Sequence, residues 1–188
     1  RVYRGLQLQL VVYMDAAMEM LRGQHPKKEI LPGGILYYHI DDPVLESDTP
    51  LSDEEAEQAL LFALRPDGLV NSGEEIYRAM DQNFEGKSQM IPVEIKKNGE
   101  ISTARSKVAS TEEFAVITRY VEHEIRQCGE AIYAGNIAVN PYRSDIETSC
   151  TYCPYASVCG MDAKIPGYEY RQFASMKKEE VLDQMQTE

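Results

Sequence analysis

Three cysteines near the C-terminus carry the spacing that speaks most directly of chemistry: Cys150, Cys153 and Cys159 in SCTYCPYASVCG. A C-x2-C turn aims two sulfurs at one point, and a third thiol close by makes a shared metal the natural reading. Zinc and an iron–sulfur cluster both accept cysteine thiolates, so the spacing leaves the metal open. A closed tetrahedral site needs four ligands, and this segment has three. Tyr152, Pro154 and Tyr155 interleave the thiols and would shield a bound metal. His39 or His123 would complete a zinc site, but nothing in their spacing recommends either. The remaining cysteine, Cys128, falls on an apolar helical stripe and is expected to be a buried structural thiol.

A second pair lies near the N-terminus. Gln9-x3-Tyr13 puts an amide and a phenol on one helix face, because residues four apart are neighbours. The amide both donates and accepts, and the phenol bridges or stacks, so the pair suits a phosphodiester or a metal-bound water. By itself it is a common coincidence. His39 and Asp41 would share one face of a strand, a permitted metal geometry, although an acidic pair closing a strand before Pro43 is the plainer reading. His123, between Glu122 and Glu124, reads as a solvated mid-helix residue. No phosphate-binding glycine loop, nucleophile elbow or His-Glu-x-x-His motif is present.

These groups need elements to position them. Residues 4–22 place Leu6, Leu10, Tyr13, Ala17 and Met20 at helical spacing, with Gly23 able to end the helix. Residues 35–40, ILYYHI, read as a buried strand. Ser52-Asp53-Glu54-Glu55 is a capping box opening a helix to about Leu64. A short extended piece is expected at 69–71 and a short helix at 74–82. Residues 90–97, Asn98-Gly99 and the following residues read as a hairpin with a type I′ turn. A second box, Ser110 to Glu113, starts the longest helix, about 111–133, with the stripe Phe114, Ile117, Val121, Ile125, Cys128 and Ile132. Residues 136–142 look extended, and 176–188 read as a frayed helix. The pattern is mixed α/β.

The bulk properties fit one ordinary domain, with 43% hydrophobic residues and a formal charge of −12. That charge weighs against autonomous nucleic-acid binding, which needs Lys and Arg against phosphates. Residues 41–57 hold eight acids and no base, a solvated acidic stretch. Clustered cysteines suit a reduced cytoplasm better than a disulfide framework. No apolar run of about 18 residues exists to span a membrane. The chain opens RVYRGLQLQL, without Met or a signal pattern, which leads to the expectation of an excerpt from a longer polypeptide.

Together the segments resemble a known family. Gly5 to Asp15, GLQLQLVVYMD, resembles the Q-x3-Y helix of RecB-type nucleases, and Pro32 to Pro43, PGGILYYHIDDP, resembles the strand that follows in the AddB family, the B subunits of bacterial ATP-dependent helicase–nucleases. Cys150, Cys153 and Cys159 match that family's three C-terminal iron–sulfur ligands. The resemblance covers nearly the whole chain, least firmly at 44–110. It implies a partial PD-(D/E)xK nuclease-like α/β core, with long helices on a small mixed sheet. It divides the chain as a single partial domain: Q-x3-Y helix and core strand at 1–43, an inserted α+β region at 44–110, long helix and strand at 111–142, a Cys-rich metal loop at 143–165 and a tail at 166–188.

The resemblance further implies a Mg²⁺-dependent DNA exonuclease that resects ends in double-strand-break repair, working with an AddA-type helicase–nuclease subunit and DNA. Gln9 and Tyr13 carry over as accessory active-site residues. The three cysteines carry over as ligands of a 4Fe–4S cluster, zinc being the alternative, with the fourth ligand upstream and absent here. The catalytic carboxylates and lysine carry over to no residue, so the isolated chain is expected to be inactive. A CRISPR-associated exonuclease also pairs these motifs, but at a much shorter separation than Tyr13 to Cys150. The rival of another class is a non-catalytic interaction module stapled by zinc or iron–sulfur.

Overall fold

The computed structural model describes residues 1–40, 42–144 and 147–187. These form two compact units, one of residues 8–119 and one of residues 1–7 with 120–188.

In the unit of residues 8–119, helix α1 spans Gln9–Gln24. It starts five residues later than its periodicity suggests, because Gly5 (φ 71°) and Gln7 (φ 68°) adopt left-handed conformations that no helix can run through. His25 ends it, donating its N–H to Leu21 O at 2.8 Å, with Pro26 next. Apolar residues lie on most sides of this helix, so two stripes satisfy the helical period, and packing chooses between them. The inward stripe is Val11, Met14, Asp15 and Met18, whereas Tyr13, Ala17 and Met20 of the expected stripe face solvent.

Strand β1 (Gly34–Tyr37) runs antiparallel to β2 (Asp67–Asn71), which pairs in parallel with β3 (Val108–Ala109). β1 is shorter than expected and only half-buried: it stops at Tyr37, and Tyr38 and Ile40 stand in solvent. Two glycines allow the close pairing of β1 and β2. A Cβ at Gly34 would meet Leu69 O at 2.8 Å, and one at Gly68 would press still closer on Ile35 O.

The core of this unit gathers Val70, Tyr77, Phe84, Ile91, Val93, Ile95 and Val108. Helix α2 (Asp53–Ala63) opens with the expected Ser52/Glu55 capping box, and α3 is Glu74–Met80. The hairpin at 90–105 is real but slight, reduced to bridges such as Ile95 to Ile101. Its turn differs from type I′: Gly99 donates to Lys96 O at 2.9 Å and alone takes positive φ (86°), while Asn98 does not. A single left-handed glycine after the turn lets the strands close with a bulge.

Helix α4 (Thr111–Tyr133) has its expected bounds and box, with Glu113 accepting from Ser110 N at 2.7 Å and Ser110 Oγ accepting from Glu113 N at 3.2 Å. Phe114, Val116, Ile117, Tyr120 and Val121 are buried, yet the second half of the helix is not. Cys128 is consequently exposed, correcting the expectation of a buried thiol. The stripe continues in sequence, but beyond Val121 it is left exposed, Ile125 at 45% and Ile132 at 77%.

In the other unit, β4 (Tyr142–Ser144) pairs in parallel with β5 (Arg171–Phe173). Tyr142 stacks on Phe173 at 5.3 Å between centroids, and Arg4 lies over Phe173 at 4.9 Å. Helix α6 (Lys178–Thr187) is docked rather than frayed: Leu182 and Met185 are buried, and Tyr3 Oη donates to Gln184 Oε1. Tyr120 Oη donates to Tyr3 O at 2.7 Å, tying α4 to the same N-terminal turn.

Candidate functional site

The Q-x3-Y pair forms as the spacing predicts. Gln9 Nε2 donates to Tyr13 Oη at 2.6 Å across one turn of α1, and Tyr13 is 59% exposed. Gln9 is the first residue of the helix, whose N-cap, Leu8, has no side-chain oxygen to cap it and whose first turn holds no acid. The pair therefore sits where backbone N–H groups and the positive end of the helix favour an anion. The left-handed Gln7 turns the chain there, so that the helix opens on Gln9 itself. With Gln9 donating to the phenol oxygen, the phenol O–H and the amide oxygen are left to engage a phosphate oxygen or a bound water.

The cysteines lie on the loop between β4 and β5. Cys150 and Cys153 share a turn in which Cys153 N donates to Cys150 O at 3.3 Å. Cys159 ends the one-turn helix α5 (Ala156–Cys159), donating its N–H to Tyr155 O at 2.8 Å. All three are free and half-buried. The parallel strands close this loop at its base and bring in residues that no sequence spacing pointed to. Tyr170, just before β5, is hydrogen-bonded to Cys150, which raises the phenol above its ordinary value. Arg143 of β4 lies over the Tyr170 ring at 4.5 Å. Thr148 Oγ1 accepts the Cys150 N–H at 2.9 Å.

The donor chemistry of this loop suits zinc or iron–sulfur, but among the described residues no three His, Cys, Asp or Glu side chains converge closely enough to hold an ion. With three thiols for a four-ligand site, the loop as it stands is not a closed metal centre. His123 bonds Gln127 Nε2 at 2.7 Å through its own Nε2, and His39 lies beyond β1 in solvent. Asp41, paired with His39 by its spacing, lies outside the described residues.

Glu94-Ile95-Lys96 has the acid-x-lysine spacing that nuclease chemistry uses, a signal present in the sequence but not singled out by composition or periodicity. Its groups are engaged elsewhere: Glu94 with Arg105 at 2.8 Å, and Lys96 with Glu100 at 3.9 Å. Asp67 and Lys107 form another acid–lysine pair, at 2.5 Å. The Lys107 hydrogen bond holds the Asp67 carboxyl below the ordinary carboxylate range.

Known proteins resemble the chain along nearly all of its length. The B subunit of an ATP-dependent helicase/deoxyribonuclease from Thermoanaerobacter sp. (strain X514) is 38% identical over 187 residues, covering 100% of this chain and 16% of that protein. The same-named protein of Lachnoclostridium phytofermentans is 39% identical over 196 residues, covering 100% of the chain and 17% of the relative. That of Clostridium botulinum (strain Hall) is 40% identical over 182 residues, covering 97% and 16%. The chain thus spans about a sixth of the length of these relatives. A family description of the PD-(D/E)XK nuclease superfamily matches residues 1–160, most of the chain, and the protein belongs to that superfamily.

Proposed function

We propose that this chain is part of the nuclease region of a helicase–nuclease subunit that cuts DNA, and that Gln9 and Tyr13 are accessory residues of its active site. The observation that carries the reading is their hydrogen-bonded, solvent-facing pair at the uncapped start of α1, in a chain belonging to a nuclease superfamily. In that role Tyr13 and Gln9 hold a phosphodiester oxygen or the water beside it. Mg²⁺, where bound by carboxylates of the whole protein, supplies Lewis acidity and a hydroxide-like nucleophile. The relatives are named as one subunit of a helicase/deoxyribonuclease, which supports a second, helicase–nuclease subunit as partner. DNA-end resection in break repair is the process this chemistry serves.

Cys150, Cys153 and Cys159 are proposed as three ligands of an iron–sulfur cluster, with zinc as the alternative. Their sulfurs must turn toward one centre and take a fourth ligand from outside these residues. A stapled protein-interaction module is the second reading, favoured by the charge of −12 and by the lack of a converging acidic cluster among the described residues.

The test compares a longer protein carrying this segment with its Gln9→Ala and Tyr13→Phe variants on labelled single-stranded DNA with Mg²⁺. The nuclease reading expects cleavage to fall by about 10- to 100-fold with DNA affinity little changed, as for loss of a positioning group at the reacting centre. Unchanged cleavage in both variants would overturn the assignment. Iron, sulfide and zinc content of the same preparation, purified without oxygen, decides the metal.

A further inference from the structure

The base of the cysteine loop is built more closely than ligand spacing alone requires. Arg143 joins its segments: its backbone forms an antiparallel bridge with Thr148 and, as part of β4, pairs in register with Gln172 of β5. That pairing sets Tyr170, one residue before β5, against Cys150 and Thr148. Arg143 also covers the Tyr170 ring, its guanidinium carbon 4.5 Å from the ring centroid. The phenol therefore has one face fixed by a cation while its hydroxyl lies among polar atoms.

Three hydrogen bonds close a ring there. The Cys150 N–H donates to Thr148 Oγ1 at 2.9 Å. The Tyr170 phenol is bonded both to the Cys150 sulfur and to the Thr148 side chain. Donor chemistry sets the direction of each bond. A sulfur that binds a metal has lost its proton and can only accept, so the phenol O–H donates to it. Thr148 Oγ1 accepts from the Cys150 N–H, and its own O–H donates to the phenol oxygen. Each of the three residues thus donates once and accepts once, an arrangement in which each bond polarises the next.

We infer that Tyr170 is a positioning residue for the metal ligand Cys150, donating a hydrogen bond to its sulfur and itself held in place by Arg143 and Thr148. The inference rests on the reading of Cys150 as a ligand and adds what orients that ligand. A phenol brings no charge of its own, so it aims the thiolate without competing with the metal for it. The bond draws electron density from the sulfur, which in an iron–sulfur cluster raises the reduction potential and in a zinc site fixes the ligand's direction.

The experiment uses a longer protein carrying this segment, stripped of metal and titrated with cobalt(II) under argon. The thiolate-to-cobalt charge-transfer band reports the sulfurs directly. Tyr170→Phe keeps the ring beneath Arg143 and removes only the O–H. Losing the bond raises the energy of the sulfur lone pairs, so the band should move to longer wavelength, and cobalt affinity should fall by about tenfold or more. Tyr155→Phe, which removes an exposed phenol O–H from the same loop, should leave both unchanged. Cys150→Ala separates this inference from the ligand reading. If Cys150→Ala leaves the titration unchanged, Cys150 is not a ligand and both readings fall. If Cys150→Ala weakens cobalt binding but the Tyr170→Phe band stays at the wild-type position, the ligand reading stands and the role of Tyr170 is overturned, even where affinity drops, because a loss without a band shift comes from the fold. An equal band shift in Tyr155→Phe would overturn it as well.

Discussion

Asn71 is the residue through which the unit of residues 8–119 is most exposed to a single change. It is 1% exposed at the end of β2, and its amide joins three segments. Nδ2 donates to Pro32 O at 2.8 Å and to Thr111 Oγ1 at 3.0 Å, while Oδ1 accepts the Gly73 N–H at 2.8 Å. These link the end of the α1–β1 loop, the N-cap of α3 and the first residue of α4. Asn71→Ala strands the buried Pro32 carbonyl, at about 2 kcal/mol for an unsatisfied buried acceptor. It also removes two bonds to half-buried groups that water partly replaces, at about 0.5 kcal/mol each. The loss is about 3 kcal/mol, or roughly 6–12 °C in Tm for a chain of this size. Urea unfolding followed by far-ultraviolet circular dichroism measures it, with the slope checked for constancy so that the midpoint reports stability. Amide exchange at Gly73 localises the effect. Asn71→Asp should be at least as damaging at neutral pH, because a carboxylate oxygen then faces the Pro32 carbonyl. A loss below about 1 kcal/mol, or Gly73 exchange unchanged, would refute the claim that this amide holds the three segments together.

Two further outcomes follow from the same unit. Gly68→Ala should cost more than the usual surface change, about 2–3 kcal/mol, since its Cβ meets the Ile35 carbonyl and its φ of 151° disfavours a side chain; far-ultraviolet melting reads it. Lys107→Met should remove the main cause of the depressed Asp67 carboxyl. A depressed folded-state value stabilises above the ordinary carboxylate value of 3.8, and the gain is lost as pH falls through the lower folded value. The wild-type advantage over Lys107→Met should therefore be present at neutral pH and vanish in acid below that window. Both side chains are more than half exposed, so it should also shrink with salt and stay below about 1 kcal/mol. A difference independent of pH would place the effect in packing instead.

The capped helices were legible because their signals are local. Ser52 with Glu55 and Ser110 with Glu113 lie within one turn, and any chain that forms those helices closes those bonds. The Gln9–Tyr13 contact was legible for the same reason. The inward face of α1 was not, because apolar residues lie on most sides of this helix and offer more than one stripe of the same period. The exposure of Cys128 was not legible either, because periodicity says that a face is apolar, not that something covers it.

The cysteine loop divides in the same way. The sequence by itself determined the donors, their order and their turn, since thiol chemistry and C-x2-C spacing are local properties of residues 150–159. It also determined the membership of a nuclease superfamily that the segments resembled. Only the tertiary structure decided that Tyr170 and Arg143 stand beside Cys150, because a parallel pairing of β4 with β5 joins residues that no periodicity relates. It alone decided which face of α1 turns inward and that the apolar stripe of α4 is left exposed beyond Val121. Those outcomes depend on which surfaces meet, and the free energy of burying one apolar face rather than another is a property of the packed pair, not of either segment alone.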